Sequence, residues 1–356
     1  VNPGTTAARA AGGRSFARRR GGVLLWNGYA FMTENAAPPS GGSRLFPFVP
    51  RSGPAPLAED IYAVAGGKGG IGKSLVAASL AIAFARAGRR VLLVDADLGC
   101  PNLHTCLGLR GSRRGLGDFL KGRVESLDAA GVETGVENLT LVSGLRDTLS
   151  TPNLTYFEKQ KIIQALHRAR ADVIFVDLSA GSGFNTVDLF LAATKGVLVA
   201  VPEPTAIENL YRFLRAAVHR RLASIGKDGA IVDMLNEAED MGGPHAMKNP
   251  ADLIERVRRG SPEAAAEMER ALARFDLRVL LNQVRGEADE ALAGNLVTAI
   301  RHHLGLRAEL LGAVSYDVAV WQCVSKGKVL LEDYPRSRAA QDMLRAAERL
   351  GGREEA

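Results

Sequence analysis

IYAVAGGKGGIGKSLVAASLAIAFARAG, Ile61–Gly88, decides the fold of this chain of 356 residues. It opens on a short aliphatic run of strand type, Ile61–Ala65. It closes on a helical pattern, Leu75–Ala87, which Gly88 ends. Between them Gly67–Ser74 satisfies GxxxxGK[ST]. Glycines are needed there because the backbone must curl until successive N–H groups point inward at phosphates, and a Cβ would block that approach. The start of the helix adds its dipole. Gly67, Lys68, Gly69, Gly70, Ile71, Gly72, Lys73 and Ser74 are therefore expected to bind a nucleotide. Lys73 should reach the β- and γ-phosphates, and the Ser74 hydroxyl should ligate Mg²⁺.

Outward from this loop the chain alternates short aliphatic runs with longer amphipathic ones. After IYAVA come VLLVDAD (91–97), LTLVSG (139–144), VIFVDLS (173–179), GVLVAVPEP (196–204), RVLLNQV (278–284) and ELLGAV (309–314). Continuous apolar runs separated by helical patterns indicate parallel strands buried on both faces. The fold class that follows is α/β, a doubly wound, mainly parallel sheet of the P-loop type, with ligands at the carboxyl ends of the strands. Val173–Asp177 then reads as a Walker B strand whose Asp177 holds Mg²⁺. Asp95 and Asp97 share a face at the end of their own run, two residues apart. Ser179–Gly183 reads as a flexible switch able to sense the γ-phosphate.

The domain is expected to span residues 60–356, with a helical insertion at about 223–274. That insertion carries two capped starts, Asn249-Pro250 and Ser261-Pro262-Glu263. Residues 1–59 read as a disordered or mis-annotated extension, rich in Pro, Gly and Ser from residue 32 onward. The first 31 residues hold Arg9, Arg14, Arg18, Arg19 and Arg20 and no acid, so without these five arginines the formal charge falls from +6 to +1. The basic balance thus argues little for a nucleic-acid partner. Cys100, Cys106 and Cys323 form no CxxC pair, which favours a reducing cytoplasm over a disulfide or zinc framework. The most apolar stretch, Leu189–Val201, is broken by Lys195, so no membrane-spanning segment is expected.

Lys68, at the start of KGGIGK, places a second cation where it cannot easily fold back onto its own γ-phosphate. With this lysine the chain resembles the deviant Walker A ATPases of the ParA/MinD family, from Ile61 to about Met343. Three segments resemble its FlhG (FleN-like) branch: VPEPTAIENLYRFL (201–214), LLNQVRGEADEAL (280–292) and LGAVSYDVAVWQCVSKGKVLLEDYPRSRAAQDM (311–343). The resemblance implies a switch that dimerises on binding ATP and Mg²⁺, with Lys68 crossing to the partner's phosphates. It implies that Asp97 orients or deprotonates the attacking water, that Asp95 supports the loop, and that Asn282 contacts adenine. The residues after Asn282 are Gln283-Val284-Arg285 rather than KxD, which favours ATP over GTP. Pro202 and its neighbours are expected to flank the base. In the FlhG branch such proteins set flagellar number and placement. The family's glutamine-containing activation segment is not evident here, while the segment DLGCPNLHTCLGL (97–109) is distinctive.

The function expected is an ATP-hydrolysing, dimerising switch that positions a cellular structure and answers to a protein partner. An ATP-dependent synthetase and an iron–sulfur carrier of the same superfamily are the alternatives. The first lacks a recognisable acid-binding pocket, the second a cysteine pair. A tyrosine kinase would need a tyrosine cluster after the domain, and none follows. The helix expected at Arg338–Leu350, capped by Ser337, has an alanine-rich face suited more to packing on the domain than to reversible membrane contact. The stripe Arg212, Arg215, His219 and Arg220 reads as a solvated helix face rather than a DNA contact.

Overall fold

All seven apolar runs become strands of one sheet. In a computed structural model, which describes residues 23–26, 29–32, 57–58, 60–111, 114–144, 154–225 and 250–352, the chain divides into two compact units, Val1–Arg44 and Leu45–Ala356. Within the first, β1 (Val23–Trp26) pairs antiparallel with β2 (Tyr29–Met32), where sequence reasoning assigned no element.

The second unit holds β3 (Asp60–Ala65), β4 (Val91–Ala96), β5 (Val132–Glu133), β6 (Leu139–Val142), β7 (Val173–Leu178), β8 (Lys195–Ala200), β9 (Asp276–Val284) and β10 (Arg307–Ser315). Their order is β10-β9-β8-β3-β7-β4-β6-β5. Every neighbouring pair is parallel except β5 with β6. Both faces are buried, and the side chains divide by the two-residue strand period. Ile61, Ala63 and Ala65 of β3 join one core, Tyr62 and Val64 the other.

The first core is closed by α4 (Tyr156–Arg168), α5 (Phe184–Ala192), α6 (Pro204–Ala223) and α9 (Glu287–Leu304), reached through residues such as Ile162, Val187, Phe213 and Ile300. Two proline-started helices, α7 (Pro250–Gly260) and α8 (Pro262–Leu272), bury Leu253, Ile254, Val257 and Met268 in the same core. The Ser261 hydroxyl caps α8 by accepting from the Ala264 N–H at 3.3 Å. Residues 226–249 of the expected insertion lie outside the described residues.

On the other face lie α1 (Lys73–Arg86), α2 (Leu103–Cys106), α10 (Val318–Lys326), α11 (Leu330–Asp333) and α12 (Arg338–Leu350). The short α3 (Leu116–Leu120) sits beside α4. Helix α12 begins at the expected cap, with Ser337 Oγ accepting from the Ala340 N–H at 3.2 Å. Its Ala339, Ala340, Met343, Ala346 and Ala347 are buried against α1 and β10. The small residues suit that contact: α1 is alanine-rich as well, burying Ala77, Ala78, Ala81, Ala83 and Ala85, and small residues on both sides let two helices approach closely. The apolar face that a membrane would need is already covered by the domain. No described helix is long and apolar enough to cross a membrane.

One polar cluster ties the first-face helices together. Asp188 of α5 accepts from Lys159 of α4 and, through two bonds of 2.7 and 3.0 Å, from Arg220 of α6. Burial works to raise the Asp188 carboxyl, but the bonds from Arg220 and Lys159 outweigh it and hold its pKa below the ordinary value. A depressed carboxylate stabilises the fold above its ordinary pKa near ~4 and ceases to do so as acid protonates it. Asp188→Asn should therefore cost about 1–3 kcal/mol at neutral pH. Thermal melts of variant and parent should converge as the pH falls below ~4. A gap that stays constant into strong acid would refute this account of the cluster.

Candidate functional site

The phosphate loop runs from the end of β3 to the start of α1, across the carboxyl edge of the sheet. Gly72 has φ 89°, in the left-handed region, and a Cβ there would lie 2.4 Å from the Asn282 amide nitrogen. Gly67 lies so close to α6 that a Cβ would fall 2.1 Å from the Asn209 carbonyl carbon. Glycine is required at both positions by geometry, and the loop is gripped from two sides. Lys73, the first residue of α1, is buried, and its Nζ donates to the Lys68 carbonyl at 3.4 Å. Burial lowers its pKa, against the pull of Asp177 and Asp97.

Asp177 and Asp95 are register neighbours on β7 and β4, two strand ends beside the loop. Asp95 is fully buried and accepts from the N–H groups of Asp97 and Leu103, each at 3.2 Å, which moulds the segment after β4. Burial, reinforced by Asp177, pushes its carboxyl up to about 8. Asp97 stands at the cavity wall, its Oδ1 accepting from the Cys100 N–H and the Ser179 hydroxyl, both at 3.2 Å. The segment carrying Asp97, a candidate first switch, thus touches the second, Ser179–Gly183, through Asp97 and Ser179. The second is also pinned to the loop, since the Gly181 N–H donates to the Gly66 carbonyl at 3.4 Å.

Asp177 is 1% exposed, and neither of its oxygens has a well-formed hydrogen-bond partner. Burial pushes its carboxyl up to about 7, opposed by the Ser74 hydroxyl and by Lys73. Two orphaned carboxylate oxygens cost free energy that a hard cation would offset. The donor set fits Mg²⁺. The described residues hold no cage of three or more His, Cys, Asp or Glu side chains. Mg²⁺ commonly takes only one or two protein oxygens and completes its octahedron with phosphate and water. Ser74 and Asp177 are placed to supply those two.

A cavity of about 1280 Å³ opens over these residues. Gly69, Gly70, Gly72, Lys73, Ser74, Asp97 and Asn282 line it. Ile71 is buried beneath, and its carbonyl accepts from the Asn282 amide at 2.8 Å. Asn282 also accepts from the Gln283 N–H at 2.9 Å. The side chain braces the phosphate loop, which leaves one N–H of its amide for a base. Pro202 is half-buried after β8 and is not among the residues lining the cavity. Its neighbour Glu203 instead pairs with Lys68 at 2.7 Å. That pair is the main feature that sequence reasoning missed: the lysine expected to reach another chain rests on a carboxylate of its own. Along the α6 stripe, Arg212 pairs with Glu208 at 2.6 Å and Arg220 with Asp188, so both cations are engaged within the chain.

Residues 62–331 match the model of the CobQ/CobB/MinD/ParA nucleotide-binding domain. The chain is 29% identical to the antiactivator FleN of Pseudomonas aeruginosa over 79% of this chain and 82% of that one. Among solved structures it is similar to the septum site-determining protein MinD complexed with Mg-ADP from Pyrococcus horikoshii. That likeness has a TM-score of 0.56 at 21% identity and covers 82% of this chain and 95% of the other. It is likewise similar to the MinC:MinD cell division protein complex of Aquifex aeolicus, with a TM-score of 0.54 at 20% identity, covering 83% and 98%.

Proposed function

The chain belongs to the CobQ/CobB/MinD/ParA nucleotide-binding family, and from that premise we propose that it is an ATPase switch that dimerises on binding Mg·ATP and positions a cellular structure. The observation that carries this reading is the convergence of Lys73, Ser74 and Asp97 on one cavity, with the buried Asp177 beside Lys73 and Ser74 and neither of its oxygens in a well-formed hydrogen bond. The similarity to FleN makes flagellar number or placement the process proposed.

In the proposed reaction water attacks the γ-phosphate in line, and catalysis is mostly positioning and charge stabilisation. The loop N–H groups and Lys73 hold the phosphates. Ser74 and Asp177 would hold Mg²⁺, which would supply positive charge to offset that of the phosphates. Asp97, linked to Ser179, orients the attacking water, and Gly181 carries the state of the loop into the second switch. Lys68 leaves Glu203 for the partner's phosphates once the second copy arrives.

A synthetase acting on an acid substrate is disfavoured by the cavity wall. Lys73 is the only lysine or arginine among its described lining residues, and the phosphates claim it. Beyond Asp97 the described wall mixes apolar side chains such as Leu98, Leu154, Phe184 and Leu189 with neutral polar ones such as Asn102, Asn185 and Thr186. The other carboxylate on it, Asp317, has the wrong sign. A carboxylate would find no counter-charge there.

Lys68→Ala tests the switch. Its side chain is 41% exposed and the Glu203 pair is a surface one, so little stability is at stake. The variant should bind ATP as the parent does, while ATP-dependent dimerisation and hydrolysis fall together. Sedimentation that finds an intact ATP dimer would reject the cross-subunit role.

A further inference from the structure

The face that carries the cavity also exposes an unusual amount of aromatic surface. Phe184 is 76% exposed, Phe157 82%, Tyr156 64% and Trp321 70%. These rings form two patches. In the first, Asn185 donates to the Leu154 carbonyl at 3.1 Å, which sets the start of α5 beside the start of α4 and brings Phe184 near Tyr156 and Phe157. In the second, Trp321 and Val324 stand on α10 beside Tyr316. Phe184 and Trp321 both line the nucleotide cavity. The patches flank the phosphate loop, because β7, which leads to α5, lies one strand to one side of β3, and β10, which leads to α10, lies three strands to the other.

The first patch is held rigid. The Arg220 guanidinium lies 5.6 Å from the Phe184 ring centre, and Lys159 lies 5.7 Å from that of Tyr156. Tyr156 and Phe157 pack edge to face with centres 5.8 Å apart. Both cations are anchored in turn on Asp188. Rings that are already ordered lose little entropy when a partner covers them, which is the character of an interface hot spot. At roughly 150–250 Å² per buried aromatic, the four rings expose on the order of 600 Å². That is a large part of the ~800 Å² each partner brings to a standard interface.

Resting on the switch proposed above, we infer that these two aromatic patches are the apolar anchors of the ATP-dependent dimer, covered by a second copy of this chain. A second copy closing over the nucleotide faces both patches at once, since both border the same cavity. The charges favour it over an anionic lipid surface. Such a surface is drawn by clusters of lysine and arginine. Here Lys159 and Arg220 share one carboxylate, Asp188, leaving a single net positive charge at the first patch, and Arg285 over Tyr316 adds one at the second. Phe184 stands one residue past the second switch, so dimer contact and nucleotide state meet in the same turn of chain.

The test uses the full chain with Asp97→Ala as parent, followed by sedimentation velocity with ATP and with ADP. Phe157 does not line the cavity, so Phe157→Ala and Phe157→Arg should leave ATP binding by the monomer unchanged. Each should weaken the ATP dimer by at least ~30-fold, the loss typical of a hot-spot residue, with Phe157→Leu restoring most of it. Phe184→Ala should act in the same direction. Dimers as tight as the parent's in Phe157→Ala, Phe157→Arg and Phe184→Ala alike would overturn this inference while leaving the switch standing. A parent that stays monomeric with ATP bound would overturn both. Variants that keep the dimer but lose binding to phosphatidylglycerol-containing vesicles would assign the patches to a membrane and overturn it as well.

Discussion

Lys73→Ala is expected to abolish useful nucleotide binding. Lys73 is the one lysine or arginine among the described residues lining the cavity, and it is buried to 7% exposure beside Asp177 and Asp97. Truncating one member of a buried, hydrogen-bonded charge pair commonly costs about 2–5 kcal/mol. At ~1.4 kcal/mol per tenfold this is a loss of roughly 30- to 4,000-fold in affinity. The remaining carboxylates would add to the loss, because without the ammonium a triphosphate would stand near Asp97 and Asp177 with Mg²⁺ as the sole counter-charge within the cavity. Folding should not suffer in proportion. The Lys73 ammonium gains one long bond to the Lys68 carbonyl, at 3.4 Å, and its burial disfavours the charged form. Calorimetric titration with a non-hydrolysable ATP analogue and Mg²⁺, alongside a thermal melt without nucleotide, separates the two effects. Tight binding retained by a folded Lys73→Ala chain would mean that the phosphate site lies elsewhere.

The phosphate loop and its strands were legible because each leaves a local mark. Strands buried on both faces must be apolar at every position, so β3, β4, β7 and β8 stand out as continuous runs. Helix α12 was legible from its cap and its face, both of which repeat within a few residues. The two-residue β5 is too short for any period to appear. The pairing of β1 with β2 did have a signal, Asn27-Gly28 between two apolar runs, which a reading of the segment as unstructured passes over. What no local pattern could reveal is contact across the chain. Lys68 and Glu203 are 135 residues apart, and Asn282 meets Ile71 across 211. Phe157 looks from sequence like the apolar residue of an ordinary first helical turn. Only its surroundings reveal that it faces solvent.

Asp97→Ala should lock the protein in its ATP state. In the switch proposed above, Asp97 is separate from the groups that hold nucleotide: Lys73 and the loop glycines would serve the phosphates, and Ser74 and Asp177 the metal. Its Oδ1 instead accepts from Ser179 and from the Cys100 N–H. Removing it should therefore leave Mg·ATP affinity nearly unchanged while slowing hydrolysis by ~10²–10⁴, the usual cost of losing a group that positions or deprotonates the reacting water. The fold is protected because Asp95, which shapes the same segment through the Asp97 and Leu103 N–H groups, uses backbone bonds that alanine retains. With the γ-phosphate never lost, Lys68 of each copy should remain on its partner's nucleotide rather than return to Glu203, and the protein should elute as a dimer with ATP and a monomer with ADP. A synthetase would instead stay monomeric with either nucleotide and turn over little ATP until its acid substrate was supplied. Size-exclusion chromatography of Asp97→Ala with each nucleotide decides between them, and a monomer in both runs, with ATP measurably bound, would end the switch reading.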